Sequence, residues 1–176
     1  MEWDNEPGSW RGDADRLVVD VEGDTDYWRV TRHGFVADDA HCYLRDVTGD
    51  FTATVAVTGE YASLYDQAGL MIRADEETWL KCGIEYVDGR QHASAVITRE
   101  FSDWSVVPLE EAPETVRVRV DRTDETVEVF YASGDDEFTM IRQGYLSENE
   151  SLAVGPMAAA PQGDGFACTF EDFTVE

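Results

Sequence analysis

The sequence predicts an all-β fold: two antiparallel sheets packed face to face in a β-sandwich. Two observations carry that expectation. Strand patterns of alternating apolar and polar residues recur at short spacing, with Gly, Asp, Asn or Pro between them, and no segment keeps a helical spacing. An Asp-Gly pair, Asp88-Gly89, lies between two β-rich runs and marks a two-residue type I′ hairpin. A chain of 176 residues fits one domain, taken as 1–176.

Leu17–Val21 and His41–Val47 are the first strand candidates. In Phe51–Thr58 the residues Phe51, Ala53, Val55 and Val57 take one face, and Thr52, Thr54, Ala56 and Thr58 the other. The stretch Tyr65–Ser105 holds three strand patterns. The Asp88-Gly89 turn pairs Val87 with Arg90, Glu85 with His92, Gly83 with Ser94, Lys81 with Val96 and Trp79 with Thr98. The opposite face then pairs Ile84 with Ala93, Cys82 with Ala95 and Leu80 with Ile97, all apolar; a one-residue slip would mix the faces. A three-residue loop over Asp75–Glu77 adds a strand that pairs Arg73 with Trp79, Met71 with Lys81, Gly69 with Gly83 and Gln67 with Glu85. Phe101–Ser105 breaks the alternation and reads as a loop. Trp104–Leu109, Val116–Val120, Val127–Tyr131, Phe138–Gln143, Leu152–Val154 and Phe166–Val175 bring the count to about a dozen strands. Pro156–Gly165 reads as a loop.

The charge is lopsided, with 38 acidic against 13 basic residues and a formal net charge of −25; Lys81 is the only lysine. An acidic surface for a basic partner would concentrate its charge in a block or tail. Here the acids are scattered through every turn, which favours a halophilic surface whose self-repulsion is screened by salt. Nucleic acid is disfavoured as a partner, because its phosphates would be repelled. Cys42, Cys82 and Cys168 have no metal-ligand spacing, their odd number argues against a complete disulfide framework, and Cys82, on an apolar strand face, is expected as a buried free thiol. No run resembles a signal peptide or a membrane span, so a cytoplasmic protein without a membrane partner is expected. The acidic turn Gly134–Glu137 could offer oxygen ligands to calcium, but such turns arise by chance in so acidic a chain, and no metal or cofactor is assigned.

The hairpins put Gln67, Arg73, Trp79, Lys81, Glu85, His92 and Thr98 on one sheet face. That face is either solvated decoration or the floor of a polar groove. Glu85 opposite His92 reads either as an exposed cross-strand pair or as a binding pair. Lys81 is expected to pair with Glu85, two positions on along the same face. Gly69 and Gly83 leave a flat patch where a ligand could approach the backbone. Trp79 suits core packing as well as a ligand platform. Asp103 and Trp104 on the 101–105 segment, Tyr65 and Asp66 on another, and Trp28 on a third suit sugar recognition, in which aromatics stack on pyranose faces and polar groups bond hydroxyls. Asp66 suits a turn-stabilising role equally.

Four blocks carry a resemblance: TDYW (Thr25–Trp28), YDQAGLMIR (Tyr65–Arg73), WLKCGIEYVDG (Trp79–Gly89) and SDWS (Ser102–Ser105), followed by VGPMAAAP and a closing FEDFTV. They resemble the regulation-of-enolase-like family of the concanavalin A-like lectin/glucanase superfamily. The resemblance covers nearly the whole chain and implies a jelly-roll sandwich with a concave face. It supplies no catalytic residues. Glucanases of that superfamily use paired carboxylates on one strand, whereas here Glu85 stands alone in mid-strand. The expected function is therefore binding of a carbohydrate or related polar small molecule. The alternatives are a glycoside hydrolase or lyase built on Glu85, and a protein-interaction domain with a regulatory role.

Overall fold

A computed structural model describes residues 1–13 and 15–176. Among the described residues sixteen strands follow in chain order. They are β1 (Glu2–Asp4), β2 (Trp10–Gly12), β3 (Arg16–Glu22), β4 (Tyr27–Arg29), β5 (Val36–Asp38), β6 (His41–Thr48), β7 (Phe51–Gly59) and β8 (Gln67–Arg73), then β9 (Thr78–Val87), β10 (Arg90–Arg99), β11 (Phe101–Pro108), β12 (Val116–Thr123), β13 (Thr126–Ser133), β14 (Thr139–Tyr145), β15 (Ser151–Ala159) and β16 (Gly165–Val175). No helix occurs among the described residues. One seven-stranded sheet has the order β1-β6-β15-β8-β9-β10-β11, the other β14-β13-β12-β7-β16-β3-β2, and β4-β5 form a small hairpin of their own.

Alternation builds the core. The odd residues Phe51 to Val57 of β7 and the alternate valines of β12 meet Leu70, Ile72, Leu80, Cys82, Ile84, Ala93, Ala95 and Ile97 of the facing sheet, all buried. The registers expected for the two central hairpins hold: Glu85 pairs with His92, Lys81 with Val96, Met71 with Lys81 and Gln67 with Glu85. Asp88 and Gly89 both have positive φ, as a type I′ turn requires.

Two segments expected as loops are strands. Phe101–Ser105 belongs to β11, which pairs with β10 from Arg99↔Phe101 onward, turning Ser102 and Trp104 to the outer face. Pro156–Ala159 belongs to β15, and only the residues after it leave the sheet. The proline, which has no N–H to donate, is tolerated because Gly155 and Pro156 fall in a gap of the β15–β6 ladder, between Val154↔Arg45 and Met157↔Cys42.

The outer face of the first sheet is not an open groove. A second apolar cluster lies there, with Cys42, Met71, Trp79, Val96, Met157 and Ala159 all buried. The segment 24–40, which contains β4 and β5, crosses that face as a strap. Its anchor is Tyr27, fully buried against Trp79 with ring centroids 5.9 Å apart. Burial pushes the Tyr27 phenol well above its usual range, with Cys42 and Asp4 adding to the effect.

Gly69 and Gly83 do not open the sheet to a ligand. They let β8 and β9 come together: a Cβ on Gly83 would lie 2.2 Å from the Ala68 carbonyl oxygen, and one on Gly69 would lie 1.9 Å from that of Cys82. Backbone on both sides cannot yield, so Gly83→Ala should cost about 1–3 kcal/mol by urea unfolding; an unchanged midpoint would show that the two strands can part freely. The thiols of Cys42, Cys82 and Cys168 are free and buried, and burial pushes each one up. They should resist a thiol reagent at mildly alkaline pH and all react once the chain is unfolded. Unfolded thiols ionise at about pH 8.5, so their contribution to stability is complete below that pH and is lost as the pH rises above it.

Candidate functional site

The strap and the sheet enclose a cavity of about 270 Å³. Its floor is Gln67, Lys81, Glu85 and Val96, from β8, β9 and β10. Trp104 of β11 and Tyr65, just before β8, stand at one side, their rings edge to face at 6.3 Å. Trp28, His33, Phe35 and Ala37 of the strap form the other side, with Asp24, Asp26 and Asp39 beside them and Pro161 and Gln162 from the turn after β15.

The floor side chains are held by few, well-defined bonds. Glu85 is 6 % exposed, and its Oε2 accepts from Ser94 Oγ at 2.6 Å and from Trp104 Nε1 at 2.8 Å. Gln67 Nε2 donates to the Tyr65 carbonyl at 3.1 Å. Lys81, 4 % exposed, donates to Asp26 Oδ1 at 3.0 Å, not to Glu85 as alternation along one strand suggested. Its ammonium therefore ties the strap to the floor.

Further ties flank it. Arg73 forms a two-pronged pair with Asp38 at 2.6 and 2.7 Å and lies over the Tyr27 ring. Burial works against the Arg73 charge, but the Asp38 carboxylate outweighs it and the pKa goes up. Arg29 reaches Glu77 at 2.6 Å, and its backbone N–H donates to Ser102 Oγ. At the base of the strap, Thr25 Oγ1 donates to the Glu22 carbonyl and accepts from the Ala160 N–H.

Residues 3–176 match a family described as a protein of unknown function (DUF1349). The chain belongs to the DUF1349 family. It is 34% identical over 173 residues to the protein named Regulation of enolase protein 1 from Saccharomyces cerevisiae, covering 98% of this chain and 87% of that one. A crystal structure of a functionally unknown protein from Saccharomyces cerevisiae superposes with a TM-score of 0.94 at 34% identity, over 99% of this chain and 95% of the other. The fold also matches part of the GH43 protein BlXynB of Bacillus licheniformis, here its K247S mutant, with a TM-score of 0.74 at 16% identity, covering 97% of this chain but 35% of that one. That likeness concerns the fold alone.

In this DUF1349 chain six of the expected site residues meet at the cavity: Trp28, Tyr65, Gln67, Lys81, Glu85 and Trp104. Five do not line it. Asp66 is buried in a turn, where Oδ2 accepts from the N–H groups of Ala62 and Ser63. Arg73 and Trp79 lie under the strap, one bound to Asp38 and the other fully buried. His92 is Glu85's cross-strand neighbour, yet its Nδ1 meets the Arg90 carbonyl and Ser94 takes the bond to Glu85. Asp103 points away from Trp104 and pairs with Arg142 at 2.7 Å. Asp24, His33, Phe35 and Asp39 escape sequence reasoning, although the TDYW block marks the segment that carries them. Among the described residues no group of three His, Cys, Asp or Glu side chains is placed to hold a metal ion.

Removing Lys81 should expose how much the strap depends on it. Lys81→Met alone leaves Asp26, whose side chain is only 17% exposed, without its cation, a loss of about 1–3 kcal/mol. Adding Asp26→Asn should recover part of that loss in a double-mutant cycle; purely additive losses would show that the two groups do not act together.

Proposed function

We propose that the cavity under the strap binds a carbohydrate or a related polar small molecule. The observation that carries this reading is the meeting, in one cavity, of aromatic rings from the strap and from the side opposite it with buried polar side chains. Trp28, Tyr65 and Trp104 can offer faces to the C–H surface of a sugar ring, while Gln67 and Glu85 offer bonds to its hydroxyls. The volume lies just below the usual range of about 300–1,000 Å³ for ligand pockets, which suits a single ring better than a chain of them. The GH43 and lectin-like folds that share this sandwich lend support by analogy alone.

A glycoside-active enzyme is the second reading. The strap supports it by adding Asp24, Asp26 and Asp39 to a cavity whose floor carries Glu85. The binding reading is favoured because Asp26 is committed to Lys81 and Glu85 to two donors. The scattered acids and three buried free thiols support a cytoplasmic protein of a salt-rich cell.

Calorimetry over a monosaccharide panel in molar KCl tests the binding reading. Trp104→Ala should weaken binding at least about tenfold, or 1.4 kcal/mol, with the thermal midpoint nearly unchanged, since Trp104 is 39% exposed. Affinity equal to that of the unmodified chain, or no heat from any sugar, would refute the site. Release of reducing sugar from a glycan panel, lost in Glu85→Gln, would instead establish the enzyme.

A further inference from the structure

We infer that the ligand of this cavity carries a protonated amine, and that the pocket selects an amino sugar over its neutral and acidic counterparts. The inference rests on the carbohydrate reading above and adds the charge of the ligand to it.

The first ground is the balance of donors and acceptors. Most of the pocket's neutral donors are used within the protein, and the Lys81 ammonium gives one of its three N–H groups to Asp26. Trp104 Nε1 is given to Glu85, Trp28 Nε1 to the Thr31 carbonyl, Gln67 Nε2 to the Tyr65 carbonyl and Thr25 Oγ1 to the Glu22 carbonyl. Acceptors are left over. Both donors to Glu85 go to Oε2, and no donor among the described residues bonds its Oε1. Gln67 donates through its nitrogen, and its Oε1 has no donor either. Glu85 and Gln67 are 6% and 5% exposed, and both line the cavity floor. Neither oxygen is sealed in the protein, so each can take a donor from a molecule in the cavity. An ammonium brings three donors and no acceptor.

The second ground is charge. Four carboxylates line the cavity, from Asp24, Asp26, Asp39 and Glu85, against one ammonium. That ammonium, on Lys81, is neutralised locally by Asp26 at 3.0 Å. Abundant surface acid accounts for aspartates on the rim, but not for Glu85, which sits in mid-strand under a tryptophan. The third ground is the walls. Trp28, Tyr65 and Trp104 carry π faces, which attract a cation as well as a sugar ring. Uronates, sugar phosphates and other anions meet the opposite field.

Calorimetry in molar KCl, with glucosamine, glucose, N-acetylglucosamine, glucuronate and propylammonium as probes, tests the inference. Glucosamine should bind at least about tenfold tighter than glucose or N-acetylglucosamine, and glucuronate more weakly than either. Glu85→Gln can keep the bonds from Ser94 and Trp104 while turning the free acceptor into a donor. It should lower the affinity for glucosamine by a larger factor than the affinity for glucose, so that the preference between the two is lost. Should that variant lose its fold, Asp39→Asn on the rim should narrow the same preference. Equal affinities for glucosamine and glucose, or a parallel loss of both in Glu85→Gln, would overturn the inference while the carbohydrate reading stands. Binding of propylammonium with no sugar binding would sustain the cationic ligand and overturn the sugar. Silence from every probe would overturn both.

Discussion

The candidate site depends on two cations that the first sheet turns outward. Arg73 and Lys81 stand on a face that also buries Met71, Trp79, Val96 and Met157, and both are taken up by aspartates of the strap. Neither cation is in bulk water and neither carboxylate could be left alone there, so cations and strap specify each other. Tyr27 supplies the apolar part of the same attachment, under the Arg73 guanidinium and against Trp79. With the strap down, the outer face of a two-sheet sandwich gains a second small core. Where the strap stands off the sheet beside that core, the cavity forms.

The floor of the cavity follows from hairpin geometry. Glu85 lies where it does because the Asp88-Gly89 turn fixes the register of β9 against β10, and the close approach of Gly69 and Gly83 holds β8 alongside. Trp104 reaches Glu85 because β11 continues the sheet with its outward residues in step: Trp104 pairs with Val96, which pairs with Lys81. Three strands, with β10 between β9 and β11, thus bring a carboxylate, an amide, an ammonium and an indole onto one rigid surface. Sites built this way hold their geometry better than sites assembled from loops alone.

Much of this floor was legible in the sequence. A two-residue turn and period-two alternation suffice to say which side chains share a face, and Gln67, Lys81 and Glu85 follow from them directly. The same rule placed Arg73, Trp79 and His92 on that face and could not say what would cover it. Parity gives a side, whereas burial is set by a partner distant in the chain. The strap was not legible as structure, because strands of three residues carry too little alternation to register and their partners lie far off, Asp26 bonding Lys81 and Asp38 bonding Arg73. Lys81 was matched to the wrong acid for that reason: Glu85 was the nearest carboxylate in the strand, and Asp26 the nearest in space. Pro156 misled in the opposite direction, since a proline in a gap of the ladder costs the sheet nothing.

The strap's loop has a further meaning for how such a chain can diversify. Between β4 and β5 the backbone makes left-handed turns at Val30, Arg32 and Gly34, with a hydrogen bond from the Gly34 N–H to the Val30 carbonyl, and this short coil carries His33 and leads into Phe35. A β-branched residue rarely tolerates that conformation, so the tip is shaped by its own local bonds and not by the sandwich beneath. The rim of the cavity is therefore a nearly autonomous piece of chain resting on a fixed foundation. Substitution there can redraw what the cavity admits without touching the register, the cations or the core, and selectivity and stability are free to change separately.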